Sequence, residues 1–153
     1  MANIACNIIL EVRLVLDTDV VVAGVRSPSG ASRWLLQTGL NRGITLVTSV
    51  PLILEYEAVL TRPEHLSAAR LKENEVYQIV DAIAAVSVHT RLSFRWRPML
   101  ADANDDMVLE TAINGGAELL VTSNSRDFGS IGERFGCRAV LPREAINLVR
   151  DSL

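Results

Sequence analysis

Residues 13–24, RLVLDTDVVVAG, place Asp17 and Asp19 inside an otherwise apolar run. Val15, Leu16, Val20, Val21 and Val22 read as strand from their branching and hydrophobicity, with the strand proper over residues 13–18. An isolated buried carboxylate is costly and tends to protonate or find a partner. Two of them one residue apart repel. The stretch therefore sets an electrostatic problem at a strand end that the rest of the chain must answer.

Working outward, strand and helix patterns alternate. SPSG at 27–30 is a turn, and Gly30 to Leu40 reads as a helix carrying Trp34, Leu35 and Leu36. GITLVTS at 43–49 is a short apolar strand ending in Thr48 and Ser49. Residues 50–61 read as a helix stopped by Pro63. Residues 64–70 and 73–86 are two more helices, the second amphipathic through Val76, Ile79, Val80, Ile83 and Val86. Residues 87–92 read as a strand and 93–100, with Arg95, Trp96 and Arg97, as a loop. Residues 104–114 form a helix ending at Gly115-Gly116, 117–122 and 137–141 are strands, and Pro142 opens a last helix. This alternation predicts an α/β fold, a three-layer α/β/α arrangement around a central parallel sheet. Such sheets carry their sites beyond the carboxyl ends of the strands. Asp17 and Asp19 end the first strand, Thr48 and Ser49 the second, and Ser123 and Asn124 follow ELLVT.

Composition bounds the reading. With 153 residues, the chain is read as one domain, 1–153; 49% hydrophobic and 22% charged residues suit a soluble globular protein. No apolar run reaches the roughly 18–20 residues that cross a membrane. MANIACNIILEV has no basic start and meets Glu11 and Arg13 early, so no signal peptide is expected. Cys6 and Cys137 lack paired spacing, which makes a reduced, cytoplasmic location the expectation. Two cysteines with His65 and His89 offer no clustered zinc ligands. The net charge of −3 argues mildly against nucleic acid. However, fourteen of the fifteen basic residues are Arg, which suits bidentate phosphate contacts and equally suits a compositional bias.

ADANDDMVLETA at 101–112 adds Asp102, Asp105 and Asp106. Helix capping accounts for Asp102. It accounts less well for Asp105, which shares a helical face with Val108 and Ala112 and so points inward. Carboxylates converging on one pocket cannot all stay ionised without a counter-charge. Oxygen ligands without a His/Cys cluster select Mg²⁺ or Mn²⁺. Phosphoester hydrolysis or transfer is then the expected chemistry. Glu55 and Glu57 lie on a helix apolar almost all round, and periodicity does not choose between them.

Two families share parts of this pattern. LVLDTDVV resembles the opening motif of haloacid dehalogenase-like phosphatases, with Thr48, Lys72 and Asp105-Asp106 following in the right order. That resemblance implies Asp17 as nucleophile and Asp19 as general acid. However, the acid pair then follows RWRPMLADAN, which does not read as the strand it needs. The broader resemblance is to PIN-domain ribonucleases, the toxin-like family of toxin–antitoxin systems. It covers about residues 13–147, leaving 1–12 as an N-terminal extension. It rests on RLVLDTDVVVAGVRSPSGASRWLL, LVTSVPLILEYEAVLTRP, DANDDMVLETAINGGAELLVTSNSRDF and AVLPREAINL.

This second resemblance implies Asp17, Glu55 and Asp105 as the core metal-binding acids, with Asp106 or Asp102 nearby. Asn124 falls where many members have a fourth Asp, and Asp19 where many have Asn. The formal charge of the pair is thus unchanged, and Asp19 or Asp127 is the candidate substitute for the missing carboxylate, the alternative being that Asn124 is a tolerated variant and Asp19 hydrogen-bonds backbone. Ser49, Thr122 and Ser123 would support the acids or contact phosphate, with a structural turn role as the alternative for the serines. The metal would orient a water for in-line attack on an RNA phosphodiester. Arg26, Arg33 and Arg126 are the expected RNA-binding residues. Arg95, Trp96 and Arg97 would pair and stack with RNA or form a packed loop. The resemblance also implies a homodimer and inhibition by a protein antitoxin. A non-enzymatic alternative is a weakened PIN fold that binds RNA or a partner without cutting.

Overall fold

Five short strands form a single parallel sheet in the order β3-β2-β1-β4-β5. The computed structural model describes residues 11–93 and 100–152. In chain order the elements are β1 (Arg13–Leu16), α1 (Thr18–Arg26), α2 (Ala31–Leu40), β2 (Thr45–Thr48), α3 (Val50–Leu60), α4 (Pro63–Ala69), α5 (Glu73–Val86), β3 (Val88–His89), α6 (Ala103–Asn114), β4 (Leu119–Val121), α7 (Ser125–Phe128), β5 (Arg138–Val140) and α8 (Pro142–Asp151), with a 3-10 turn at Gly132–Phe135.

Central β1 is buried along Leu14, Val15 and Leu16 and flanked by Leu46 and Val47 of β2 and Leu120 and Val121 of β4. Strands covered on both faces carry such unbroken apolar runs. From β1 the chain steps outward to β2 and β3, then crosses to the far side of β1 for β4 and β5. Right-handed crossovers place the connections of the two halves on opposite faces. Accordingly α1 packs on α2 and α2 on α8, while α6 lies across β1, β2 and β4. The expected three-layer α/β/α architecture is present. Among the described residues no helix is long and apolar enough to cross a membrane.

The reading of Val20, Val21 and Val22 as strand is corrected. They lie in α1, with Val20 and Val21 at most 1% exposed and Val22 8%. Branched residues cost a helix only a few tenths of a kcal/mol each. Burying each is worth roughly 1.5–3 kcal/mol, so packing outweighs propensity. The switch occurs at Asp17, whose carboxylate accepts from the Thr18 N–H at 2.7 Å. Its carbonyl accepts from the N–H groups of Val20 and Val21.

The strand expected over 87–92 contracts to Val88–His89, paired with Val47 and Thr48. Arg95, Trp96 and Arg97 lie outside the described residues. The expected stop at Gly115-Gly116 is present: Gly116 takes φ +63, a left-handed conformation that favours glycine, and the Ala117 N–H reaches back to Ala112.

Candidate active site

The strand order reverses between β1 and β4, where an open parallel sheet leaves a crevice at the strand ends. Asp17 stands there. Its N–H donates to the Val121 carbonyl at 2.9 Å, which joins the end of β1 to the end of β4. Its Oδ2 accepts from the Thr122 hydroxyl at 2.8 Å. Below it, the buried Tyr56 hydroxyl of α3 donates to the Leu16 carbonyl. Burial first and the Asp19 charge next push the Asp17 carboxyl up to about 6; the hydrogen bonds from Thr122 and Thr18 oppose this, and Asp105 adds to it. Every charged neighbour that sets this value is another carboxylate. Burial and the Asp17 charge also keep the Tyr56 phenol protonated, well above its ordinary range.

Asp19, in the first turn of α1, reaches across to β4. Its Oδ2 accepts from both the N–H and the hydroxyl of Ser123. Its Oδ1 is buried and accepts no hydrogen bond. Asp105 enters from the first turn of α6. Its carboxyl is raised by burial first, then by Asp102, Asp127, Asp19 and Asp106. Asn124 completes the group, its N–H held by the Thr122 hydroxyl at 3.1 Å. Asp17, Asp19, Asp105 and Asn124 line one cavity of about 750 Å³ together with Arg26 and His65.

The remaining expected residues sit elsewhere. Glu55 is half-buried on α3 beside Tyr56 and does not line this cavity. Asp106 is 2% exposed and its Oδ1 accepts from the Leu100 N–H at 2.8 Å, tying the incoming segment to α6. Ser49 is 1% exposed, caps α3 at Leu52 and shares a 2.7 Å hydrogen bond with Thr111. Asp127, in the first turn of α7, acts on Asp105 through its charge. Arg33 donates to the Gly24 carbonyl at 3.2 Å from α2, and Arg126 is exposed on α7.

His65 of α4 was the least legible member of the cavity. Its sequence neighbours contain nothing that relates it to Asp17, and only the packing of α4 on α1 brings it there. Tyr56 was equally hidden, because an aromatic residue on an apolar helix signals core.

Among the described residues, no group of three or more His, Cys, Asp or Glu is drawn together tightly enough to hold a metal ion. The donors present nonetheless fit a hard divalent cation. They are all oxygen, one of them is the buried Asp19 Oδ1 that accepts nothing, and neighbouring carboxylates raise both Asp17 and Asp105. A cation would offset all three conditions at once.

The sequence model of the family described as PIN domain matches residues 13–126. A search of curated proteins finds no match to the chain. The match decides against the phosphatase resemblance, and the geometry agrees. Lys72 is exposed at the start of α5 and does not line the cavity, and the Thr48 hydroxyl faces His89.

Proposed function

This chain belongs to the PIN-domain family, whose members are in general metal-dependent nucleases, and on that premise we propose that it is an endoribonuclease dependent on Mg²⁺ or Mn²⁺. The observation that carries the reading is the meeting of Asp17, Asp19 and Asp105 in one cavity at the point where the strand order reverses.

Asp17 and Asp105 would hold the cation, the family resemblance alone adds Glu55 from α3, and Asp106 would stand behind them. A bound divalent cation supplies a polarised water near neutral pH and a counter-charge for the phosphoryl oxygens. Thr122 and the Thr18 N–H keep the Asp17 carboxylate oriented and partly offset the proton affinity that burial gives it. Asp19 holds Ser123, and with it the turn that presents Asn124. Arg26, on the same cavity wall, faces the anionic substrate, with Arg33 and Arg126 as outer contacts. The chain is further read as the cytoplasmic toxin of a toxin–antitoxin pair, acting as a homodimer.

Purified protein incubated with single-stranded RNA tests the nuclease reading. Cleavage that requires Mg²⁺ or Mn²⁺ and is lost in Asp17→Asn and Asp105→Asn supports it. Asn124, standing where many members have Asp, favours one second reading: a PIN fold that binds RNA without cutting. Binding with no cleavage in either metal across varied RNAs would select that alternative.

A further inference from the structure

We propose that the trough leading away from the acids is a second RNA-binding site, in which Arg33 and Arg70 hold backbone phosphates remote from the bond being cut. The proposal rests on the nuclease reading and extends it from the cleavage point to the strand beyond.

The acid-lined cavity shares Arg26, Pro28 and Ala68 as a common wall with a second one of about 660 Å³, which Arg33 and Arg70 line. A third, of about 320 Å³, shares Arg33 with the second. Carboxylates line the first cavity, and no carboxylate lines the other two. The charge of the trough therefore reverses along its length, from acids suited to a cation to arginines suited to an anion.

Arg33 is half-buried and already fixed, with its Nη1 donating to the Gly24 carbonyl at 3.2 Å. Its Nε is buried and donates to no acceptor. A guanidinium anchored at one nitrogen, with a further donor unsatisfied, is ordered in advance for an anionic oxygen. Arg70 is exposed and closes α4 in the left-handed region, at φ +56. That conformation is not itself a site, since Arg42 shares it outside the trough. It does supply a clean variant, because glycine adopts it without strain. An acidic polypeptide could also meet these arginines. RNA is favoured because the arginine-lined cavity adjoins the acid-lined one across Arg26, Pro28 and Ala68, so a strand with one phosphodiester at the acids lays its next phosphates toward the arginines.

The test measures binding of a single-stranded RNA about ten nucleotides long in EDTA, by fluorescence anisotropy over a salt series. Alongside it, cleavage of a dinucleotide in Mn²⁺ reads the acid site alone. Arg70→Gly and Arg33→Gln are each expected to weaken the longer RNA about tenfold and to lower the slope of log affinity against log salt by about 0.7. In Arg70→Gly, dinucleotide cleavage should be unchanged and melting should come no lower than in the parent protein. Arg70→Lys should recover most of the affinity. Unchanged RNA affinity and slope in both variants overturn the proposal while leaving the nuclease reading intact. Arginine-dependent binding of a glutamate decamer, with RNA binding unaffected, also overturns it and assigns the trough to an acidic protein segment. Absence of both dinucleotide cleavage and RNA binding in the parent protein defeats the nuclease reading, and this proposal with it.

Discussion

The Thr122 hydroxyl at the end of β4 donates to Asp17 Oδ2 at the end of β1 over 2.8 Å. The two residues are 105 positions apart in the chain. They meet because β1 and β4 are neighbours at the reversal of strand order. This bond favours the charged carboxylate, against burial and Asp19, which favour the neutral acid.

Removing the bond should therefore raise Asp17 further. In metal-free Thr122→Val, NMR titration of the Asp17 carboxyl is expected to show a midpoint above the parent value of about 6, by about 0.5–1 unit. An unmoved or lowered midpoint would show that the hydroxyl does not stabilise the anion.

Asp17 should also weaken the metal-free fold at neutral pH. Its folded value of about 6 lies above the ordinary carboxylate value of 3.8. Stability from the neutral acid is fully present below pH 3.8 and is lost as pH rises through about 6. Asp17→Asn mimics the neutral acid, so it should be the more stable protein at pH 7, by at most about 3 kcal/mol. The advantage should vanish near pH 4 in urea melts. The same variant should lose at least about a hundredfold in cleavage rate. A variant less stable at pH 7 than the parent would contradict the burial argument.

Metal binding should compete with that proton. Calorimetric titration with Mn²⁺ is expected to show proton release at pH 5 and an affinity falling up to about tenfold per pH unit below 6. Equal affinity at pH 5 and pH 7 would remove Asp17 from the ligand set.

Asp19 and Asn124 line the same cavity, at positions where the family resemblance expects Asn and Asp respectively. If Asp19 supplies the missing charge, Asp19→Asn should weaken Mn²⁺ binding about tenfold. Adding Asn124→Asp should restore it. Unchanged affinity and rate in the single variant would limit Asp19 to holding Ser123.

Tyr56→Phe removes a fully buried hydrogen bond to Leu16 and leaves that carbonyl without this donor. A loss of about 1–3 kcal/mol is expected in urea denaturation. A neutral result would mean that the carbonyl finds another donor.

Much of the fold was legible because periodicity reports how one element meets the core. The apolar strands, the amphipathic α5 and the glycine stop after α6 all follow from local pattern. The main misreading, Val20 to Val22, arose because branching and hydrophobicity fit a strand and a buried helix alike. On α6, residues 106 to 112 are all buried. A face argument there could suggest that Asp105 points inward, but it could not foresee Asp106 capturing the Leu100 N–H.

The sequence by itself determined the layered α/β class and the placement of acids and hydroxyl residues at strand ends, since alternation and turn chemistry are local properties. Only the tertiary structure decided which of those groups meet. It paired Asp17 with Thr122 and Asp19 with Ser123, brought His65 and Arg26 to the acids, and left Glu55 off that lining. Such meetings depend on strand order and helix docking across long stretches of chain, and no local pattern encodes them.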